Sequence, residues 1–125
     1  MDVKIVLPSK NNIVLVHWAN QNILPYFLEK DIDIFFQPPP FAHTKALIID
    51  DNYSLVGSAN LDPRSLRLNF ELGIEVFNEN LNAELAAYMS EKILASRQLA
   101  DAELKNVSLP VRLRNAIAWL FSPYL

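Results

Sequence analysis

Between His43 and Asn60 the chain reads His-Thr-Lys-Ala-Leu-Ile-Ile-Asp-Asp-Asn-Tyr-Ser-Leu-Val-Gly-Ser-Ala-Asn. Ala46, Leu47, Ile48 and Ile49 form an unbroken apolar block, and three turn formers, Asp50, Asp51 and Asn52, end it. Tyr53 to Val56 is apolar again apart from Ser54 and predicts the return strand. Side chains alternate along a strand, so His43 and Lys45 are expected on one face and Asp50 on the other. Gly57 permits a close backbone approach, after which Ser58 and Asn60 present a hydroxyl and an amide.

The residue types in this stretch limit its chemistry. They comprise an imidazole, a fixed cation and neutral donors, without a carboxylate pair at metal-ligand spacing and without a second nearby histidine. Such a set suits a phosphate group. Lys45 and Asn60 would neutralise and hydrogen-bond its non-bridging oxygens, and His43 would do covalent or acid–base work. No metal and no cofactor is expected. A lone histidine on an apolar strand is usually a packed histidine. The regular separations of the whole set favour a site.

The flanking sequence reads as alternating elements. Val3 to Leu7 predicts a strand stopped by Pro8, and Ser9 to Asn12 a polar loop. Ile13 to Lys30 carries Leu15, Ala19, Ile23 and Phe27 at helical steps, with Pro25 set to kink the helix or open a second one. Ile32 to Phe36 predicts a strand, and Pro38, Pro39 and Pro40 a stiff approach that walls the pocket. Leu61 to Leu68 reads as a polar loop, and Phe70 to Phe77 as an alternating strand with Phe70, Leu72, Ile74 and Val76 on one face. Asn80 is expected to cap a helix reaching about Ala100, and Pro110 to open a last helix. The fold class expected is α/β: a single domain over residues 1–125, a sandwich of one mixed sheet flanked by helices.

Composition excludes several alternatives. At 51% hydrophobic residues in 125 the chain can build a core, so disorder is not expected. A formal net charge of −3 gives no electrostatic footprint for nucleic acid. With no cysteine there is neither a disulfide framework nor thiolate chemistry. No apolar run is long enough to span a bilayer.

The spaced set His-x-Lys, four residues, Asp, six residues, Gly-Ser-x-Asn resembles the HKD motif of the phospholipase D superfamily, without a departure. The continuation Leu61-Asp62-Pro63-Arg64-Ser65 and Leu68-Asn69-Phe70-Glu71-Leu72 is similar to the bacterial cardiolipin synthase branch, as is the stretch from Val3 to Ala19. Enzymes of this superfamily build one active site from two HKD motifs, in one chain or across a homodimer. The chain carries a single motif and so resembles the C-terminal half of a two-motif enzyme: a truncated reading frame, an excised domain, or a one-motif protein that dimerises.

The resemblance implies a metal-independent phosphatidyltransferase that acts through a phosphohistidine once a second motif is supplied. Phosphatidylglycerol is the expected substrate, and the parent enzyme would work at the cytoplasmic side of the cell membrane. It implies His43 as one of the two catalytic imidazoles, general acid and base in a C-terminal half, and either attacker or acid in a symmetric dimer. Lys45 and Asn60 match the phosphate-binding positions, and Ser58 buttresses them. Asp50 and Gly57 are structural members of the motif. Glu71 is expected to hold the other ring nitrogen of His43. Arg64 and Arg67 are candidates for a headgroup. Trp119, Leu120, Phe121, Tyr124 and two nearby arginines are candidates for peripheral membrane contact, against a core role. His17 is expected to be packing or surface. The alternatives are hydrolysis by a homodimeric phospholipase or nuclease, and an inactive fragment.

Overall fold

The computed structural model describes residues 2–9, 14–40, 43–60, 65, 69–105 and 107–121. In chain order its elements are β1 (Val3–Pro8), α1 (Val14–Leu28), β2 (Ile32–Gln37), β3 (Lys45–Ile49), β4 (Tyr53–Gly57), β5 (Gly73–Phe77), α2 (Glu79–Leu94), β6 (Arg97–Gln98), α3 (Asp101–Lys105) and α4 (Leu109–Leu120). They fall into two compact units, Met1–Phe41 with Ala95–Leu125, and Ala42–Leu94. The polar loop of residues 10–12, most of the 61–68 loop with Arg64 and Arg67, and Tyr124 lie outside the described residues.

In the first unit β1 pairs with β2 in parallel, from Val3 opposite Ile32 to Pro8 opposite Gln37. Parallel neighbours need a crossover, and α1 supplies it. Pro8 is tolerated because β1 is an edge strand, and the Ser9 N–H continues the ladder to the Gln37 carbonyl at 2.9 Å. The short β6 adds antiparallel on the other side of β2, with Phe35 opposite Gln98 and Phe36 opposite Arg97. Leu24 of α1, Ile34 of β2 and Leu99 form the buried core, closed by Leu7, Phe27, Leu28, Phe36 and Leu104. The α1 helix runs through Pro25 as one element. Pro25 withholds a single N–H, and its own carbonyl still accepts from Glu29 at 3.0 Å. His17 is half-buried beside a small cleft with Gln21, Phe36 and Arg97.

In the second unit β3, β4 and β5 form an antiparallel meander with β4 in the middle. Ile48, Ser54 and Val76 share one row on the face that meets α2, and Ala46, Val56 and Ile74 share the next. The most buried contact here is polar. The Ser54 hydroxyl donates to the Asn82 side-chain carbonyl, and the Asn82 amide donates to the Asp50 carbonyl at 2.9 Å. Asp50 itself turns the hairpin with a left-handed φ of 50°, a conformation that Asp tolerates better than most residues.

The α/β class holds, with a different distribution of strands: two three-stranded sheets, one mixed and one antiparallel, stand where one mixed sheet was expected. Three boundaries also differ. Asn78 caps α2, not Asn80, because its side-chain oxygen meets the Leu81 N–H at 2.9 Å, three positions on, as an N-cap should. That helix stops at Leu94 rather than about Ala100, because Arg97 and Gln98 are taken up by β2. Strand β5 begins at Gly73, not Phe70. Phe70 and Leu72 precede it and are exposed, and Val76 is the half-buried member of the expected apolar face.

Asn82→Ala leaves the buried Ser54 hydroxyl without its acceptor and the Asp50 carbonyl without its donor. Each unsatisfied group costs about 1–3 kcal/mol. Urea denaturation should therefore show a loss of at least about 1 kcal/mol, larger than for Ala substitution at the exposed Tyr88 of the same helix. Leu24→Ala, in the first unit's core, should cost about 2–5 kcal/mol by the same measurement.

Candidate functional site

An antiparallel meander gathers alternate strand ends. Lys45 opens β3 opposite Gly57, and Gly57 closes β4 opposite Gly73, which opens β5. His43 lies two residues before β3, Ser58 and Asn60 follow β4, and Glu71 precedes β5. All five therefore collect at one end of the sheet. Asp50 lies beyond the other end of β3, roughly 16 Å away at about 3.3 Å per residue. Distance along the strand, more than the alternation of faces, removes it from the group. Its visible part is structural, through the carbonyl held by Asn82.

The Lys45 ammonium sits 3.1 Å from Nδ1 and 3.2 Å from Nε2 of His43, and 3.3 Å from the His43 carbonyl. Near-equal distances to both nitrogens put the ammonium over the ring face. The in-plane lone pair of the imidazole is then not committed to Lys45.

The turn after β4 is locked to the segment before β5. The Ser58 N–H donates to the Leu72 carbonyl at 2.9 Å, and the Leu72 N–H donates to the Ser58 hydroxyl oxygen at 3.0 Å. This approach is possible only because residue 57 is glycine. A Cβ there would lie 2.5 Å from the Leu72 carbonyl oxygen and 3.0 Å from the Gly73 Cα, both backbone atoms.

Glu71 occupies the centre of this lock. One carboxylate oxygen accepts from the Ser58 hydroxyl at 2.5 Å, and the other from the Ser65 hydroxyl at 2.6 Å. The Ser65 oxygen in turn accepts the Asn60 backbone N–H at 2.8 Å. The expected contact between Glu71 and a ring nitrogen of His43 is not made. The physical reason is strand order: β5 pairs with β4 and not with β3, so β4 stands between the carboxylate and the imidazole. The carboxyl is held below the usual glutamate range, first by the Ser58 hydroxyl, then by Ser65, with Asn69 and the charge of Lys45 adding to the effect against desolvation.

Ser65 is the site residue that the sequence does not single out. It is buried inside a segment that reads as a polar loop, and its link to Asn60 is a backbone contact. Its sequence signal is its place at the end of the Leu61-Asp62-Pro63-Arg64-Ser65 continuation, six residues before Glu71. Among the described residues no group of three His, Cys, Asp or Glu is placed to hold a metal ion, and no helix is long and apolar enough to cross a membrane.

Because its carboxyl is held low, Glu71 supports the turn fully above the ordinary carboxyl range. The support is lost as pH falls through the depressed value. Ser58→Ala and Ser65→Ala should each move the Glu71 titration upward in a carboxyl-detected NMR titration, with Ser58 the larger. A titration unchanged in both variants would contradict the network.

Comparison with known proteins adds the family. Residues 1–93 match the family model described as "Cardiolipin synthase, PLD-like domain". Cardiolipin synthase A of Salmonella arizonae is 39% identical over 127 aligned residues, covering 100% of this chain and 26% of that protein. Cardiolipin synthase 1 of Staphylococcus aureus is 35% identical, and the major cardiolipin synthase ClsA of Bacillus subtilis 30% identical, each over the whole chain and 25% and 26% of the relative. The chain thus spans about a quarter of the length of these curated relatives. No solved structure matches it. With a model match over residues 1–93 of 125, the chain belongs to the PLD-like domain family of cardiolipin synthase.

Proposed function

We propose that this chain is the HKD-bearing part of a cardiolipin synthase-type phosphatidyltransferase, and that it exchanges one alcohol for another on the phosphate of phosphatidylglycerol. The observation that carries this reading is the contact between Lys45 and the His43 ring at the same sheet end as the Ser58–Asn60 turn. The family match supports the substrate class.

In this reading the phosphate sits between Lys45 and Asn60, whose ammonium and amide take the charge that grows on the non-bridging oxygens. One imidazole uses its lone pair to form a P–N bond while the P–O bond to glycerol breaks, and a second imidazole gives that oxygen its proton. The second imidazole then removes a proton from the incoming hydroxyl of another phosphatidylglycerol. That oxygen attacks phosphorus, and the P–N bond breaks to release cardiolipin. A single motif supplies one imidazole. The other comes from a second HKD half, where His43 serves as acid and base, or from a second copy of this chain. Glu71, through Ser58 and Ser65, holds the turn that carries Asn60 and is a positioning residue. The parent enzyme would meet its lipid at the cytoplasmic face of the membrane.

Activity should appear in the two-motif assembly incubated with phosphatidylglycerol, with cardiolipin and glycerol as products. His43→Ala should lower the rate by at least about a thousandfold, within the range for losing a covalent or acid–base group. Lys45→Ala should lower it by roughly a hundredfold or more. Retained turnover in His43→Ala refutes the assignment. Phosphatidic acid as the main product would assign water as the acceptor and make the enzyme a hydrolase. Cleavage of DNA would assign a nuclease.

A further inference from the structure

Helix α4 is turned inside out relative to an ordinary surface helix. The residues it buries are Asn115 and Ala118, at 7% and 1% exposure, along its contact with α1. Leu109, Leu113, Ile117 and Leu120 recur at steps of four, four and three, so they share one face. That face is 78%, 61%, 48% and 72% exposed. Arg112 lies along one edge of this ridge and Arg114 along the other, at 100° per residue. Between Leu109 and Leu120 the helix has no acidic residue, although the chain as a whole carries a net charge of −3. Arg114 is anchored: its guanidinium lies 4.3 Å over the Trp18 ring and donates to the Asn115 side-chain oxygen at 2.9 and 3.2 Å. Beside the ridge, α1 and α4 leave an open, almost wholly apolar cleft of about 470 Å³ lined by Leu15, Trp18, Pro110, Leu113, Ile117 and Phe121.

We infer that α4 docks flat on an anionic lipid surface, with the leucine–isoleucine ridge in the acyl boundary and Arg112 at the level of the lipid phosphates. The charge pattern selects this occupant. Cations bracket an apolar ridge on both sides with no carboxylate between them, which complements a phosphate-bearing plane. Arg114 stays stacked on Trp18 at one edge of the ridge, and the exposed Arg112 at the other edge is the cation left to reach the headgroups. The surface is built without any residue of the HKD site, and its test needs no turnover.

Flotation of the full chain with vesicles tests it. Vesicles of phosphatidylcholine mixed with phosphatidylglycerol, and vesicles with phosphatidylserine in its place, should both carry the chain. Phosphatidylcholine alone should carry far less, and added salt should release it. Leu113→Glu with Ile117→Glu should weaken binding about tenfold or more, and Arg112→Gln roughly fivefold, with unchanged circular dichroism. Leu109→Glu with Leu120→Glu repeats the test at positions away from the cleft with α1. Binding to the phosphatidylserine vesicles separates this surface from the reaction site, whose proposed substrate is phosphatidylglycerol. The inference is overturned by a chain that stays in solution with every vesicle, or by ridge variants that float as well as the parent. Ridge variants that abolish a dimer while vesicle binding is absent would also overturn it, and would assign the face to a second copy of this chain.

Discussion

The paired hydrogen bonds between Ser58 and Leu72 are the constraint on which the site rests. They join the turn leaving β4 to the segment entering β5, and they exist because residue 57 has no side chain to strike the Leu72 carbonyl. Once the two segments are joined, Glu71 is placed where both Ser58 and Ser65 can reach it. The Ser65 oxygen then accepts the Asn60 backbone N–H. A backbone clearance at one glycine thus fixes an asparagine three residues later. The other half of the site depends on the hairpin register, which sets Lys45 opposite Gly57 and carries His43 to the same end.

The opposite end of the sheet shows what the Asp50 end of the motif contributes to the fold. Asp50 lies at the far end of β3 from Lys45, and its left-handed turn presents a carbonyl that Asn82 holds. Asn82 also accepts the buried Ser54 hydroxyl, which ties α2 to the middle strand. In this unit the packing between helix and sheet is specified by polar geometry at a buried point. Apolar residues elsewhere on the sheet, such as Leu47, Ile49 and Phe77, stay exposed.

Much of this was legible in the sequence because it is local. The apolar block from Ala46 to Ile49, the turn formers after it and the glycine at 57 give the hairpin and its strand ends directly. What the sequence hides is strand order. Phe70 to Phe77 alternates well enough to predict a strand, but nothing in it says that β4 rather than β3 is its neighbour, and that choice decides whether Glu71 meets the imidazole or the serines. Helix ends were obscured in the same way. Asn78 and Asn80 are chemically equal as caps, and only the chain path from Asn52, whose carbonyl takes the Asn78 N–H at 3.1 Å, selects the first. The ridge on α4 has the right spacing for a core helix, and only the burial of Asn115 shows that the face is reversed.

In the proposed reading a phosphoryl group is held at one end of the meander by Lys45 and the Ser58–Asn60 turn, with His43 beside it. An NMR titration of the isotopically labelled chain with inorganic phosphate tests this directly, residue by residue. Shifts are expected at His43, Lys45, Ser58 and Asn60, with Asp50, Asp51 and Asn52 at the far end unmoved. Shifts confined to that far turn, or His43 and Asn60 unmoved at saturating phosphate, would contradict it.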